Sequence, residues 1–203
     1  MTKQSTLAAA FIAKPFLKWA GGKGQLIPSI EAALPAGLDD CKNLVYVEPF
    51  AGSGAVLFWF LQRFPQLKEA IINDINADLV IAYNTIKQAP GQVVGMLAKI
   101  QRAYYRLDTE EEKRAFFLAQ RDAFNARNGQ PAALTAQLIF LNRTCYNGLY
   151  RVNNSNLFNV PFGRYNKPKI CDADNIMAVS ELLQKVTILN GDYTDTLPHA
   201  SGE

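Results

Sequence analysis

A glycine-rich turn and an acidic residue further along the chain are the residues best suited by type and spacing to bind a ligand. The turn is Phe50-Ala51-Gly52-Ser53-Gly54, directly after Glu48 and Pro49, and Asp74 follows about twenty residues later. Glycines let the backbone approach a ligand, and an acid after the next strand can accept hydrogen bonds from two ribose hydroxyls. The spacing predicts nucleoside binding; the alternative is an ordinary tight turn.

The glycine pattern also indicates which nucleoside would bind. A dinucleotide fingerprint has a third glycine for close helix packing, whereas this chain continues Gly54-Ala55-Val56-Leu57. Phe-x-Gly-x-Gly after an acidic residue resembles the S-adenosylmethionine loop of methyltransferases. A nicotinamide dehydrogenase is therefore the least favoured interpretation.

The elements that must position these residues follow from hydrophobic spacing. Leu44–Val47 is short, apolar and β-prone, Ala55–Phe64 has helical character, and a second apolar run, Ala70–Ile72, ends before Asp74. The remaining predicted elements are helices over Gln25–Leu34, Ala77–Gln88, Val93–Leu107, Glu110–Asn125, Ala132–Thr144 and Asp174–Gln184, and a strand over Val186–Leu189. The layout predicts an α/β unit, a run of helices, and a return to the sheet.

A polar, asparagine-rich and aromatic segment, Tyr146–Lys169, separates the last helices and contains no acidic residue. Asn147-Gly148 within it is a strong turn signal. The segment is predicted to form a hairpin or an extended finger.

Bulk composition excludes several classes of protein. The 203 residues are 49% hydrophobic and 19% charged, and no apolar run approaches the about eighteen residues that a membrane-spanning helix needs. The cysteines Cys41, Cys145 and Cys171 are widely spaced, and His199 is the single histidine, so no zinc cluster is predicted. The composition predicts a cytoplasmic protein without a structural metal.

Basic residues are segregated along the chain. Residues 1–30 carry four lysines and no acid, and residues 141–170 carry five arginines and lysines and again no acid. Segregation of this kind is expected where one face meets a polyanion, because phosphate contacts supply most non-specific nucleic-acid affinity. Chance clustering on a solvated face is the alternative.

Four stretches, taken together and in this order, resemble the Dam-type DNA adenine-N6 methyltransferases. They are Phe16-Leu17-Lys18-Trp19-Ala20-Gly21-Gly22-Lys23; Glu48-Pro49-Phe50-Ala51-Gly52-Ser53-Gly54; Asn73-Asp74-Ile75-Asn76-Ala77-Asp78-Leu79; and Asn142-Arg143 with Tyr146-Asn147-Gly148-Leu149-Tyr150-Arg151 and Phe158-Asn159-Val160-Pro161-Phe162-Gly163-Arg164-Tyr165. The resemblance extends from about Phe16 to the last residue, Glu203.

The resemblance implies a cofactor site for S-adenosylmethionine. Trp19 and Lys23 would lie beside the methionine end of the cofactor, and Asp74 would bind its ribose hydroxyls. The loop beneath the cofactor would consist of Phe50, Gly52 and Gly54. The alternatives are a core role for Trp19 and, for Asp74, a cap on the helix that starts near Ala77.

The resemblance also implies that the basic segment reads double-stranded DNA. Arg151 and Arg164 suit bidentate contact with guanine, Asn147 suits a base edge, and Tyr146 suits a wedge into the base stack; for Asn147-Gly148 the alternative is a plain turn. Pro161 belongs to the same DNA-binding set, and Arg143, Lys167 and Lys169 are assigned to phosphates. The implied reaction is methyl transfer to adenine N6, in GATC, after base flipping.

The implied fold is a Rossmann-like methyltransferase sheet, incomplete in these residues, with a helical target-recognition insertion carrying a β-hairpin. Residues 12–88 would form the first part of the cofactor domain, residues 89–170 the recognition domain with its hairpin at 145–165, and residues 171–203 the return to the sheet. A monomer is expected. Repair, replication timing and restriction-modification would all use the same chemistry.

The chain departs from the family in one respect: the Asp-Pro-Pro-Tyr motif that holds the target adenine is absent from these 203 residues. We expect a fragment of a longer enzyme whose catalytic motif lies beyond Glu203, so no catalytic residue is assigned within the chain. We also expect the 203 residues alone to transfer no methyl groups. The alternatives are a non-catalytic DNA-binding module derived from a methyltransferase and an enzyme acting on RNA adenine.

Overall fold

A computed structural model describes residues 13–200. Its sheet has three parallel strands in the order β1-β2-β3, which span Val45–Glu48, Glu69–Asn73 and Val186–Leu189. The helices are α1 (Ile27–Ala33), α2 (Ala55–Arg63), α3 (Ala77–Gln88), α4 (Pro90–Tyr105), α5 (Glu110–Asn125), α6 (Pro131–Thr144) and α7 (Ala173–Leu183). Short 3₁₀ turns cover Lys23–Leu26, Leu38–Asp40, Tyr146–Gly148 and Tyr193–His199. Between residues 13 and 200, no helix is both long and apolar enough to cross a bilayer.

The central strand, β2, is the most deeply buried strand of the sheet. Ala70, Ile71 and Ile72 are each at most 1% exposed, as expected of a strand that is flanked by two others, because parallel sheets are usually covered on both faces. Val47 pairs with Ile71, and Ile72 pairs with Ile188, so the three strands end at the same edge. That edge is where ligands bind in open α/β sheets.

The connection from β2 to β3 consists mainly of helices, whose buried side chains continue the hydrophobic core that lies beside the sheet. Helix α6 is buried over most of its length, and Phe140 at its centre is inaccessible to solvent. Tyr104 of α4 and Phe116 of α5 both pack edge-on against the ring of Phe140, each with its centroid 5.6 Å away. Thr109 and Glu112 form a capping box that fixes the start of α5.

The predicted element limits agree with the structure for α3, α5 and β3 and shift elsewhere by a few residues. The helix predicted from Val93 begins earlier, at Pro90, because proline suits a helix start where no N–H partner is needed. The helix predicted from Gln25 begins as a 3₁₀ turn and becomes α-helical only at Ile27.

The division into residues 12–88, 89–170 and 171–203 stays a prediction. Its outer limits, Ile12 and Glu203, both lie outside the described residues. The catalytic motif expected beyond Glu203 also stays a prediction, because the described chain stops at Ala200.

The segment predicted as a hairpin doubles back on itself in a less regular way. Two isolated antiparallel bridges, Cys145 with Phe162 and Val152 with Phe158, join its two limbs. No continuous strand pair is found in this part of the described chain. Asn147 adopts φ +54° inside the 3₁₀ turn, the left-handed conformation that asparagine tolerates better than most residues.

Candidate functional site

A cavity of about 360 Å³ lies where β1 and β2 end. The residues that line it come from the segments 19–23 and 50–55 and from the end of β2: Trp19, Ala20, Gly21, Gly22, Lys23, Phe50, Ala51, Gly52, Ser53, Ala55 and Asp74. Five of the six predicted cofactor residues therefore meet around one space, although up to 55 positions of sequence separate them.

Asp74 and the glycine turn form one hydrogen-bonded unit. One carboxylate oxygen of Asp74 accepts from the Gly52 N–H at 2.9 Å, and the other accepts from the Asn76 N–H at 2.9 Å. Asn76, and not Asp74, caps α3, because its side chain accepts from the Leu79 N–H. Asp74 is thus free of the capping role and lines the cavity.

Gly54, the sixth predicted residue, does not line the cavity. It adopts φ +75° at the start of α2, and a Cβ atom there would lie 2.5 Å from the Tyr83 hydroxyl oxygen. That hydroxyl donates to the carbonyl of Gly52 at 2.9 Å. Gly54 therefore lets α2 approach Tyr83, and through it supports the conformation of the turn.

Lys23 lies at the cavity in a partly buried charge network. Its ammonium donates to Glu48 at 2.5 Å and to the carbonyl of Phe50 at 2.6 Å. Glu48, only 5% exposed, also accepts from the Tyr46 hydroxyl at 2.8 Å. Burial raises the pKa of Glu48, and the hydrogen bonds from Lys23 and Tyr46 oppose that rise. Glu48 received no role from the sequence, although its place at the end of a β-prone apolar run and just before a glycine turn is a recognisable signal.

Aromatic side chains form the rest of the wall. The Trp19 indole is half-buried and stacks on Tyr150, with ring centroids 5.1 Å apart and planes inclined by 21°. Phe50 is 65% exposed, with its ring centroid 5.8 Å from that of Tyr193. The indole therefore packs on the edge of the core and faces the cavity as well, a position compatible with both roles considered for it.

The residues assigned to bases lie on the exposed part of the doubled-back segment. Tyr146 is 55% exposed, and its N–H donates to the carbonyl of Pro161 at 2.8 Å, which brings these two predicted residues together. Asn147 is exposed beside them. Arg151 donates to the side-chain and backbone oxygens of Asn159 at 2.7 and 3.1 Å.

The other basic residues differ in their surroundings. Arg164 is 73% exposed and pairs with Glu110 at 2.9 Å, and Lys169 pairs with Asp172 at 2.7 Å. Lys167 is exposed.

Arg143 is unlike the rest of the basic set. It is half-buried, donates to the carbonyl of Phe16 at 3.1 Å, and has its pKa lowered by burial. Its surroundings suit a structural contact, so its phosphate contact stays a prediction without support from the geometry.

Asn142 is a residue whose importance only the structure reveals. Its buried amide donates to the carbonyls of Lys18 and Gly148, at 2.9 and 2.8 Å, and accepts from the Lys18 N–H at 2.8 Å. The side chain thus joins the segment that leads into Trp19 to the turn that carries Asn147. The sequence offered one signal for this role: Asn142 is a polar residue near the end of a predicted apolar helix, just before the basic segment.

The amino-acid sequence matches the model of the D12 class N6 adenine-specific DNA methyltransferases over residues 19–203. The chain belongs to this family. Among its relatives are Type II methyltransferase M.MjaIII of Methanocaldococcus jannaschii, at 47% identity over 89% of this chain and 62% of the relative, and Type II methyltransferase M1.LlaDCHI of Lactococcus lactis, at 36% identity over 92% and 61%. The DNA adenine methylase of Escherichia coli is 35% identical over 92% of this chain and 60% of its own length.

This D12 class chain spans less than two thirds of the length of these relatives. Its small three-stranded parallel sheet with helices is compatible with a methyltransferase fold. Within residues 13–200, no group of three or more His, Cys, Asp and Glu side chains is placed to hold a metal ion.

Proposed function

We propose that this chain supplies the cofactor-binding and DNA-reading residues of an S-adenosylmethionine-dependent DNA adenine-N6 methyltransferase. The observation that carries the proposal is the single cavity shared by Trp19, Lys23, Phe50, Gly52 and Asp74. The family membership supports the reaction type, and the names of the relatives, methyltransferase and DNA adenine methylase, agree with it.

The donor and acceptor capacity of the cavity fits this cofactor. An ammonium has three N–H donors, and Lys23 uses one on Glu48 and one on Phe50, so a third remains for a methionine carboxylate. Each carboxylate oxygen of Asp74 accepts one backbone N–H and retains capacity for a ribose hydroxyl. Bound S-adenosylmethionine supplies a methyl group on a sulfonium, a cation that the rings of Trp19 and Phe50 suit.

The doubled-back segment would read the DNA. Arg151 and Arg164 would contact guanines, Tyr146 would fill the gap left by the flipped adenine, and Asn147 and Pro161 would contact base edges. Lys167 and Lys169 would contact phosphates. GATC is the target that the resemblance to the Dam-type enzymes supports, and the division into cofactor, recognition and return segments belongs to the same proposal.

The chemistry at adenine N6 requires groups that accept hydrogen bonds from the amino nitrogen, which the family places in Asp-Pro-Pro-Tyr. Because the residues up to Glu203 contain no Asp-Pro or Pro-Pro pair, we expect them, expressed alone, to bind without transferring a methyl group. The second candidate, a DNA-binding module without catalysis, would need only the exposed basic residues of the doubled-back segment, such as Arg164 and Lys167.

The test uses the protein as its gene encodes it, with isotopically labelled S-adenosylmethionine and matched duplexes. One duplex contains GATC, one has the same composition with the site scrambled, and one is already methylated at the site; a structured RNA is the fourth substrate. The proposal expects label in the first duplex alone and resistance of that duplex to a nuclease that cuts unmethylated GATC. Site-selective binding without label would establish the module, and label in RNA alone would overturn the DNA assignment.

A further inference from the structure

Asp78 connects three parts of the molecule near the cofactor cavity. It lies in the first turn of α3, shortly after Asp74, and its side chain is only 9% exposed. One carboxylate oxygen accepts from the Tyr150 hydroxyl at 2.6 Å, and the other accepts from the guanidinium of Arg127. Removing one partner from a buried carboxylate is costly, so these three side chains form a fixed unit.

Arg127 extends this unit to the far end of the doubled-back segment. Its guanidinium carbon lies 4.3 Å from the centroid of the Phe124 ring, and its second nitrogen donates to the carbonyl of Asn156 at 3.2 Å. The Phe158 ring packs edge-on against Tyr150, with centroids 6.0 Å apart. Both limbs of the segment therefore contact the unit centred on Asp78.

Tyr150 extends the unit in the other direction, to the cavity. Its ring stacks on the Trp19 indole, and the indole lies within 3.3 Å of the position that a Cβ atom would occupy at Gly52. The indole thus contacts the glycine turn on which the cofactor would lie. A continuous series of contacts runs from the segment that carries Arg151 to the cavity wall.

We infer that Tyr150 and Asp78 are positioning residues: Tyr150 holds the Trp19 indole in the cavity wall, and Asp78, through Tyr150, makes cofactor binding and DNA binding depend on each other. The inference rests on the proposed function, because it concerns the same two ligands. Coupling between two binding sites is reciprocal, so the cofactor must raise DNA affinity by the same factor by which DNA raises cofactor affinity.

Two variants of Tyr150 separate its two contacts. Tyr150→Phe keeps the stacked ring and removes the hydroxyl that donates to Asp78; Tyr150→Leu removes both. Asp78→Asn alters the same hydrogen bond from its other end. Thr187→Val is the matched control, since the Thr187 hydroxyl also donates to a carboxylate, that of Glu69 at 2.8 Å, but lies on β3, outside both the cavity and the doubled-back segment.

The measurement is the dissociation constant of an S-adenosylmethionine analogue that carries a positive charge but no transferable methyl group. It is determined by calorimetry, in the protein as its gene encodes it, with and without a duplex that the wild-type protein methylates. We expect Tyr150→Leu to weaken cofactor binding about 2- to 10-fold without DNA. Tyr150→Phe should keep that affinity yet lose most of the coupling factor, and Asp78→Asn should lose coupling in the same way. The control should retain both values.

A wild-type coupling factor of one would overturn the inference, as would unchanged affinity and coupling in Tyr150→Leu. If that variant does not fold, Tyr150→Phe and Asp78→Asn decide: retained coupling in both overturns the inference, and lost coupling with retained cofactor affinity supports it. A wild-type protein that neither binds the cofactor nor methylates DNA would be a failure of the proposed function itself, which is a separate and recognisable result.

Discussion

The proposed cofactor cavity and the doubled-back segment proposed to read DNA hold their polar side chains in different ways. In the cavity, Asp74 is bonded to two backbone N–H groups, and Lys23 is paired with a buried carboxylate. In the segment, Arg151 is held by exposed Asn159 contacts, and Arg164 by a pair with Glu110 in which both side chains are more than half exposed. Exposed ion pairs contribute about 0–1 kcal/mol, so DNA can replace them at little cost. The cavity is set before its ligand arrives, whereas the reading residues are free to exchange partners.

The largest effect is expected where backbone geometry sets the cavity. Gly54→Ala puts a side chain at φ +75° and brings its Cβ against Tyr83 and Phe58, which costs about 2–4 kcal/mol of unfolding free energy. Cofactor affinity should fall with it, because Tyr83 supports Gly52. Denaturant unfolding and calorimetry measure the two quantities. Gly95→Ala is the control: apart from its neighbours in the helix, no atom of the described residues lies within 4 Å of its Cβ position, and alanine should stabilise α4 by about 0.5–1 kcal/mol.

The next largest effect is expected on cofactor affinity, from a change at Asp74 that alters the hydrogen bonds of the cavity. Asp74→Asn replaces a carboxylate oxygen by an amide nitrogen that cannot accept a hydrogen bond. Either the Gly52 N–H or the Asn76 N–H then loses its acceptor, and an acceptor for a ribose hydroxyl is lost with it. Hydrogen bonds to charged groups are worth about 1.5–3 kcal/mol, which predicts a rise of about 10- to 150-fold in the cofactor dissociation constant. Asp122→Asn on the exposed face of α5 should leave it unchanged. Equal affinity in both variants would contradict the assignment of Asp74.

In the reading segment, the expected effects are on DNA alone. Arg151→Ala should reduce discrimination at one guanine-bearing position by about 1–3 kcal/mol, while Lys167→Ala should weaken all duplexes equally and lower the salt slope. Cofactor affinity without DNA should remain at its wild-type value in both, since neither side chain lines the cavity. Binding titrations on single-base variants of the site, at several salt concentrations, measure these quantities. A cofactor affinity that falls with either change would remove the contrast between the regions.

The sequence predicts features that depend on local patterns and misses those that depend on contacts between distant segments. Helices α3 and α5 follow from apolar spacing and local caps. Phe50, Gly52 and Asp74 at the cavity follow from the glycine-turn pattern, whereas Trp19 and Lys23 were assigned through the family resemblance. Contacts between distant segments leave no local pattern: Asn142 meets Lys18 across 124 positions, and the acceptor of Tyr150 is 72 positions away. Arg143 shows why charge distribution alone is insufficient. The sequence gives the number of basic residues in the segment, but not that the Arg143 guanidinium donates to the backbone carbonyl of Phe16.

The smallest expected effect is a difference in pH dependence, and it concerns Glu48 at the edge of the cavity. Burial raises its pKa, so between the unfolded-state value near 4.5 and the higher folded-state value the folded protein binds the extra proton. The stabilisation that comes from that proton is complete below the unfolded-state pKa and is lost as pH rises through the folded-state pKa. Glu48→Gln cannot titrate and lacks this contribution.

The unfolding free energy of wild type, minus that of Glu48→Gln, should therefore decrease as pH rises through this window and then level off. Urea unfolding at closely spaced pH values, with Glu181→Gln on the exposed face of α7 as control, measures the difference. A difference that grows with pH would mean that the ion pair with Lys23 outweighs desolvation, with the folded-state pKa lowered. Charge attraction would then be the main interaction that holds Lys23 against Glu48. This pair and the exposed pair of Arg164 and Glu110 would differ only in how deeply their side chains are buried.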